Sequence, residues 1–365
     1  MTVDHECDVS AILEAFDSTW TFDVHDLHKP SVEQVLRDLI EKREPSRQQR
    51  LKDEFFGTGA LASVLERADV QEIIVNGPRE IWIECNGTFE RVGDYFLSDV
   101  TYGNFIDRLC SQAGLRIDLS QPFADGSWHG YRVHLARAPL SHCSYHLSLR
   151  RRPEQPWTLE RLMELGWCTP AAGKAIRGLI SERRNVLVIG PTGSGKTSVL
   201  GACLRELPDN ERTVIIEDTD ELIRPNAAST KLLTRPATQG GLPEITLQDL
   251  VRQSLRMRPS RLVVGEVRGA EAKDLLLALA TGHSGSWGTL HASEARQALL
   301  RLEMLVQLGA PQWNVQAVRQ LLQLSLDALV VCGFEGNQRR LLGLFKVAAI
   351  ESFGLLLDPM DGGPS

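Results

Sequence analysis

Eight consecutive residues carry the strongest chemical signal in the sequence, because their spacing matches G-x-x-x-x-G-K-[ST], the pattern of a phosphate-binding loop. They are Gly190, Pro191, Thr192, Gly193, Ser194, Gly195, Lys196 and Thr197. An apolar run precedes them, and a helix-like segment beginning at Ser198 follows. The glycines let backbone N–H groups point at phosphate oxygens, and the lysine reaches the β- and γ-phosphates. We therefore predict that residues 190–198 bind a nucleoside triphosphate, with the Thr197 hydroxyl as a Mg²⁺ ligand.

Acidic residues end two of the apolar segments that follow this loop. Glu217 and Asp218 end the first segment, Glu221 comes just beyond, and Glu266 ends the second. In an open α/β sheet the carboxyl ends of the strands meet at the ligand, so these acids are expected near the phosphates. An acid at a strand end is also a common helix cap. We expect Glu217 and Glu266 to share water activation and Mg²⁺ binding, with Glu266 and Thr197 as metal ligands; which glutamate is the general base stays open.

Two histidines, His283 and His291, flank a glycine-rich loop and a short apolar strand within Thr281–Ala292. A neutral imidazole can hydrogen-bond a γ-phosphate and change partners when that phosphate leaves. Lone histidines of this kind are more often structural. Spacing alone leaves both interpretations open.

The chain divides by pattern into an amino-terminal part with short strands and a carboxy-terminal part in which apolar runs alternate with amphipathic helices. Residues 150–156 hold two prolines, several charges and no apolar side chain, which is typical of a linker. The expected organisation is a helical extension over 1–55, an α+β domain over 56–149, the linker, and an α/β domain with a mostly parallel sheet over 157–365.

Composition limits the class of protein. The 365 residues are 42% hydrophobic and 24% charged, with a net charge of -7, which excludes wholesale disorder and disfavours a protein that coats DNA. No apolar run reaches the roughly 18–20 residues that span a bilayer, and the amino terminus has no secretory-signal pattern. Seven scattered cysteines suit reduced thiols. We expect a cytoplasmic protein without a membrane span and without direct binding to nucleic acid.

The motifs together resemble those of the type II/IV secretion (traffic) ATPases, over about residues 60 to 350. Besides the phosphate loop, the sequence carries an aspartate box, an atypical Walker B block and a histidine box, at residues 216–222, 264–269 and 281–292. Three shorter matches lie at 75–78, 130–133 and 255–259. The branch it resembles most is that of the CpaF-like tight-adherence (Tad) pilus ATPases and the type IV secretion motors. It lacks the four-cysteine zinc insertion of many type II secretion and pilus-extension ATPases, and Trp287 is unusual in the histidine box.

This resemblance implies a RecA-like P-loop domain, a smaller PAS-like α+β domain, and a homo-hexameric ring that hydrolyses ATP with Mg²⁺. It implies that His283 and His291 sense the γ-phosphate, and that arginines of the amino-terminal domain reach the phosphates. Arg132 and Arg150 match those arginines best, with Arg116 a weaker match. The implied partners are inner-membrane platform proteins of a pilus or secretion system, which would hold the chain peripherally at that membrane.

Three rival functions remain, and one of them, a RecA-like nucleic-acid translocase, is disfavoured by the acidic net charge. A pilus-retraction or conjugative DNA-transfer motor would have the same ATPase core. A nucleotide-gated scaffold with little turnover would need the phosphate loop but not the glutamates and the lysine, so the presence of all three argues against it.

Overall fold

The structure is a computed structural model. It describes residues 2–19, 30–85, 87–151, 156–235, 237, 243–336, 338–351 and 354–360. The chain forms two compact units, an amino-terminal unit Met1–Glu154 and a carboxy-terminal unit Gln155–Ser365. Within the described residues, no helix is long and apolar enough to cross a membrane.

The amino-terminal unit combines helices with an antiparallel sheet. Its helices are α1 Thr2–Thr19, α2 Pro30–Glu41, α3 Pro45–Phe56, α4 Ala62–Leu65 and α5 Asp99–Ala113. Its strands are β1 Val70–Val75, β2 Ile81–Cys85, β3 Thr88–Arg91, β4 Phe123–Trp128, β5 Tyr131–Arg137 and β6 Tyr145–Arg151. The strand order is β3-β2-β1-β6-β5-β4, with antiparallel neighbours throughout.

Alternation along the strands gives this sheet one apolar and one polar face. In β5, for example, Val133 and Leu135 are fully buried, whereas Arg132 and His134 are partly exposed. The apolar face packs on α5, which begins at a capping box on Ser98 and ends at a left-handed glycine, Gly114. Strands β2 and β3 pair as antiparallel neighbours, and the Asn-Gly pair that lies between them in the sequence is a type that favours a hairpin turn.

A buried carboxylate joins the helical segment to this sheet domain. Glu54 on α3 has no exposed surface and accepts hydrogen bonds from Arg50 at 2.6 Å, from the Leu97 N–H at 2.7 Å, and from the Thr101 hydroxyl at the start of α5. A buried acid needs such partners, because its desolvation is otherwise uncompensated. Helix α3 is therefore an integral part of the amino-terminal unit.

The predicted linker begins too early. Arg150 and Arg151 belong to β6, where they pair with β5 in antiparallel register. Their charges suggested a solvated linker, but exposed strand positions carry charge equally well, because only one face of the sheet is buried. Residues 152–155 lie outside the described part of the chain.

The carboxy-terminal unit is built on a mostly parallel sheet. Its helices are α6 Leu159–Glu164, α7 Pro170–Ser181, α8 Lys196–Leu204, α9 Leu247–Ser254, α10 Glu271–Ala280, α11 Ala295–Gly309 and α12 Val315–Ser325. Its strands are β7 Val186–Gly190, β8 Thr213–Glu217, β9 Thr230–Leu233, β10 Arg261–Val267, β11 Trp287–His291, β12 Ala328–Glu335, β13 Gln338–Glu351 and β14 Gly354–Pro359. The order is β14-β13-β12-β7-β11-β10-β8-β9, and β13 and β14 extend one edge antiparallel.

Helices cover both faces of this sheet. Every residue of β7 and β8 is buried, which is why these strands are continuous apolar runs. Helices α9 to α12 pack on one face, and α6 to α8 pack on the other. Because β7, β8, β10 and β11 are parallel, their carboxyl ends lie on the same side of the sheet. The predicted site residues follow these strand ends.

Candidate active site

The phosphate-binding loop leaves β7 and leads into α8. Gly193 and Gly195 have φ values of +76° and +90°, in the left-handed region that favours glycine. At Gly190 the requirement is space, because a Cβ built there would lie 2.5 Å from the Cys332 carbonyl oxygen on β12. The glycines of the motif thus perform two tasks: two shape the loop, and the first allows it to lie against the neighbouring strand.

Lys196 is the first residue of α8 and is 7% exposed. Its Nζ donates a hydrogen bond to the Pro191 carbonyl at 2.9 Å, and the buried Ser194 hydroxyl donates to the same oxygen at 2.8 Å. Burial lowers the pKa of Lys196, and the nearby Glu266 charge opposes that effect. Thr197 and Ser198 follow in the first turn, partly exposed. This ammonium group and a helix N-terminus form a site for an anion.

A bulge in β10 positions Glu266. Between Val264 and Val267 the pairing with β11 gains one residue on β10, and Gly265 and Glu266 occupy the irregular stretch. Bulges re-aim side chains, and here the Glu266 side chain is 40% exposed with its Oε1 3.3 Å from His291 Nε2. The bulge therefore presents a solvent-accessible carboxylate beside the phosphate loop.

His291 ends β11 directly opposite Gly190 in the parallel register with β7. Burial and the positive charge of Lys196 lower the pKa of His291, against a smaller opposing effect of Glu266. A histidine with a lowered pKa is mainly neutral at pH 7, so His291 can share a proton with Glu266 or with a bound ligand.

Glu217 has different surroundings from Glu266. Its side chain is 3% exposed, one oxygen lies 3.4 Å from the Lys231 ammonium on β9, and the Leu222 N–H donates to the carboxylate at 3.0 Å. Burial raises the pKa of Glu217 to about 7, although the Lys231 charge and the backbone donors oppose that rise. A Cβ built on Gly265 would lie 2.9 Å from its Cγ, so this side chain fills space that only a glycine leaves open. Glu217 braces the turn that follows β8.

Two further acids join the loops that follow β8 and β10. Asp218 forms an ion pair with Arg268, which connects the two strand ends. Glu271, at the start of α10, accepts hydrogen bonds from the Arg268 and Gly269 N–H groups, each at 2.7 Å. These contacts fix the backbone that follows Glu266. Glu221 lies on the turn braced by Glu217, and its side chain is exposed.

The structure separates the two predicted histidines. His283 precedes β11, at its amino end, where its Nδ1 lies 3.0 Å from the Ala278 carbonyl at the end of α10. Strand β11 has five residues with a rise of about 3.3 Å each, and the two histidines lie at its opposite ends. Within the chain, the position of His283 does not support direct sensing of a phosphate bound at Lys196. His283 supports the loop that enters β11.

Arg132 and Arg150 lie side by side in the amino-terminal unit. They are direct partners in the β5–β6 register, and Glu72 on β1 is the partner of Arg150 on its other side. All three side chains belong to the polar face of the sheet, with Arg150 exposed. Paired arginines can bind phosphate oxygens, whereas two like charges in adjacent strands are otherwise mildly destabilising.

Comparison with known sequences identifies the family. The sequence profile of the type II/IV secretion system proteins matches residues 56–331. The chain belongs to this family. The resemblance predicted from the motifs is therefore confirmed.

Several known proteins are similar to this chain over most of their length. A putative conjugal transfer protein of Mycobacterium tuberculosis is 37% identical over 266 residues, which cover 71% of this chain and 76% of that protein. The type IV secretion system protein PtlH homolog of Bordetella bronchiseptica is 30% identical over 327 residues, covering 80% of this chain and 94% of that protein.

Solved structures of an ATPase and of a pilus retraction motor share the fold. The ATPase DotB of Legionella pneumophila matches with a TM-score of 0.56 at 19% identity, covering 81% of each chain. The pilus retraction motor PilT, solved with bound ADP, matches with a TM-score of 0.55 at 18% identity, covering 82% of this chain and 80% of that one. The predicted fold class, a RecA-like α/β domain with a smaller α+β domain, is confirmed.

In this secretion-family chain the structure brings together most of the predicted site of the carboxy-terminal unit. Lys196, Glu266 and His291 lie together at the carboxyl ends of β7, β10 and β11. The Glu217 side chain lies beside them but is buried. Sequence reasoning missed Lys231, the ion-pair partner of Glu217, because the short strand β9 has no distinctive pattern. It also missed the contact of Arg339 with the phosphate loop, since no motif marks that residue.

Proposed function

We propose that this chain is an ATP hydrolase that converts ATP and water to ADP and phosphate and powers a secretion or pilus machine. The observation that carries the proposal is the convergence of Lys196, Glu266 and His291 around the start of α8. A structural loop would not need a solvent-accessible carboxylate beside a buried ammonium group. Membership of the secretion family and the fold shared with PilT, which was solved with ADP, support the same conclusion.

The residues fit ATP with Mg²⁺. Backbone N–H groups of residues 190–197 and the N-terminus of α8 would bind the phosphates, and Lys196 would exchange its bond to the Pro191 carbonyl for phosphate oxygens. In the described residues, no group of three or more histidine, cysteine and acidic side chains could hold a metal ion by itself. Mg²⁺ usually takes one or two protein oxygens and completes its shell with phosphate and water. We assign Thr197 as the direct oxygen donor to Mg²⁺, and Glu266 would contact the ion through a bound water, which leaves its carboxylate able to accept a proton.

The geometry favours Glu266 over Glu217 as the residue that activates water. The Glu266 carboxylate is accessible and contacts a largely neutral imidazole, which can pass the proton on. A general base must come within hydrogen-bond reach of the attacking water, whose oxygen forms the new bond to the γ-phosphorus while the bond to the ADP oxygen breaks. Glu217 is committed to Lys231 and the Leu222 N–H.

We further propose that the active form is a homo-hexamer in which Arg132 and Arg150 contact the phosphates. The supporting observation is their direct pairing on the polar face of the amino-terminal sheet. We assign the chain to Tad-type pilus assembly or protein secretion, at the cytoplasmic side of the inner membrane, through platform proteins. The relative named as a putative conjugal transfer protein favours conjugative transfer as the second candidate.

The decisive experiment measures phosphate release, ATP binding and native mass on the same preparations. We expect Glu266→Gln to reduce turnover by about 10²- to 10⁴-fold while ATP still binds, because the base is lost and the phosphate loop is intact. Lys196→Ala should lose ATP binding. Glu164→Gln, an exposed acid at the end of α6, is the matched control and should change neither quantity. Unchanged turnover in Glu266→Gln would remove that residue from the mechanism, and a monomeric mass under turnover conditions would refute the hexamer.

A further inference from the structure

The β12–β13 hairpin lies against the phosphate loop on the side away from Glu266. Strand β7 has β11 as one neighbour and β12 as the other, so the loop that follows β7 is flanked on both sides. Glu266 and His291 approach from β10 and β11. On the opposite side, Phe334 and Arg339 are direct partners in the β12–β13 register.

Both members of this cross-strand pair face the loop. Arg339 Nε donates a hydrogen bond to the Gly193 carbonyl at 2.7 Å. A Cβ built on Gly193 would lie 3.9 Å from Phe334 Cζ, and one built on Gly195 would lie 3.6 Å from Arg339 Cδ. The hairpin therefore forms one wall of the anion site, and Arg339 anchors the loop to that wall.

Phe334 is 43% exposed although it is a large aromatic residue at the end of a buried strand. The preceding residues of β12, from Ala328 to Gly333, are all buried. Its ring consequently presents apolar surface to solvent next to a phosphate site, and an exposed aromatic face is suited to stacking on another ring.

The orientation of a bound nucleotide follows from the catalytic groups on the β10–β11 side of the phosphate loop. Hydrolysis requires the γ-phosphate to lie near Glu266 and His291, at the β10–β11 side. The nucleoside then leaves the loop toward β12 and β13. We propose that Phe334 stacks on the base of the bound nucleotide and that Arg339 is a positioning residue that holds the loop beside it. This inference rests on the proposed ATP binding and deepens it.

The chemistry of this wall also predicts that the site does not distinguish strongly between different bases. Stacking requires only a flat ring and makes no hydrogen bond to the edge of the base, so it tolerates different bases. Phe334 should therefore strengthen the binding of ATP and GTP by similar factors. It should contribute nothing to a ligand that consists of phosphates alone.

The test compares ATP, GTP and inorganic tripolyphosphate, each with Mg²⁺, by calorimetric titration of the full chain. Phe334→Leu keeps an apolar side chain but removes the ring, and Phe334→Trp keeps a ring. We expect the leucine variant to bind ATP and GTP at least about fivefold more weakly, with tripolyphosphate binding unchanged. The tryptophan variant should bind all three ligands like the wild type. Arg339→Ala should weaken all three ligands, because it releases the loop.

Controls separate this inference from the proposed function. Phe123→Leu, at an exposed phenylalanine in the amino-terminal unit, and Arg205→Ala, just after α8, should bind like the wild type. Equal ATP affinity of Phe334→Leu and the wild type would overturn the stacking, as would an equal loss for tripolyphosphate. Unchanged affinities in Arg339→Ala would overturn its positioning role. If the wild type itself bound no nucleotide, the proposed function would fail instead.

Discussion

The buried carboxyl group of Glu217 should make the stability of this protein depend on pH in a way that one substitution removes. Burial raises the pKa of Glu217 from its ordinary 4.5 to about 7 in the folded chain. Below pH 4.5 the group is protonated in both the folded and the unfolded state. As the pH rises toward 7 and beyond, the unfolded chain ionises first, so the folded state progressively loses stability. The full effect is about 3 kcal/mol, because each pKa unit is worth about 1.4 kcal/mol.

Glu217→Gln tests this magnitude, since an amide has nearly the shape of a protonated carboxyl group and does not ionise. The free energy of unfolding of the variant, relative to the wild type, should rise by about 2.5 kcal/mol between pH 5 and pH 8. Taking the difference between the two proteins cancels the contributions of the titrating groups that the substitution does not affect. Urea-induced unfolding at several pH values in that range, followed by circular dichroism, measures it.

Two comparisons make the result specific to the surroundings of Glu217. Glu164→Gln makes the same acid-to-amide change at an exposed position, and it should unfold within about 0.5 kcal/mol of the wild type. Lys231→Met removes the cation that opposes the rise, so in that background the pH-dependent loss should extend to higher pH. A Glu217→Gln difference constant within about 0.5 kcal/mol from pH 5 to pH 8 would show that the carboxyl group ionises normally, and the reasoning from burial would be refuted.

Further predictions concern neighbouring residues. Gly265→Ala should destabilise the chain by about 1–3 kcal/mol in urea titrations, because the new Cβ would meet Glu217 at 2.9 Å; an unchanged midpoint would contradict this contact. In phosphate-release assays His291→Ala should lose at least about tenfold in turnover, whereas His283→Ala should stay within about twofold. Equal losses in both variants would mean that the two histidines act together. Arg150→Gln should lower turnover while unfolding changes by less than about 0.5 kcal/mol, and full activity would remove this arginine from the site.

The sequence predicted those strands of the carboxy-terminal sheet that are continuous apolar runs. A strand that is buried on both faces is apolar along its whole length, so it can be recognised without an alternating pattern. It did not predict β9 or β14, which lie at the two edges of the sheet. The four residues of β9 are only partly buried or exposed, and no regular alternation marks them. The charges of Arg150 and Arg151 wrongly suggested a linker. Both arginines belong to β6, and the polar face of an antiparallel sheet accommodates charged side chains.

Lys196, Glu266 and His291 lie where the neighbouring strands β7, β10 and β11 end, because the carboxyl ends of parallel strands lie on the same side of the sheet. The sequence placed a short apolar strand between His283 and His291, but the spacing alone did not show that His291 lies beside the phosphate loop and His283 does not. Contacts between residues distant in sequence were also out of reach. Arg339 follows Gly193 by 146 positions, and only the order β12-β7 brings them together.

A single glycine accounts for the opposite environments of the two glutamates. Gly265 lies at the β10 bulge and beside the Glu217 side chain, whose Cγ takes the space that a Cβ would need. Because that space is open, Glu217 can turn inward to Lys231 and the Leu222 N–H, where burial raises its pKa. Because the same stretch carries an extra residue, Glu266 turns outward to His291. The two identical side chains thus differ through the backbone geometry and the partners around them, which the motifs do not reveal.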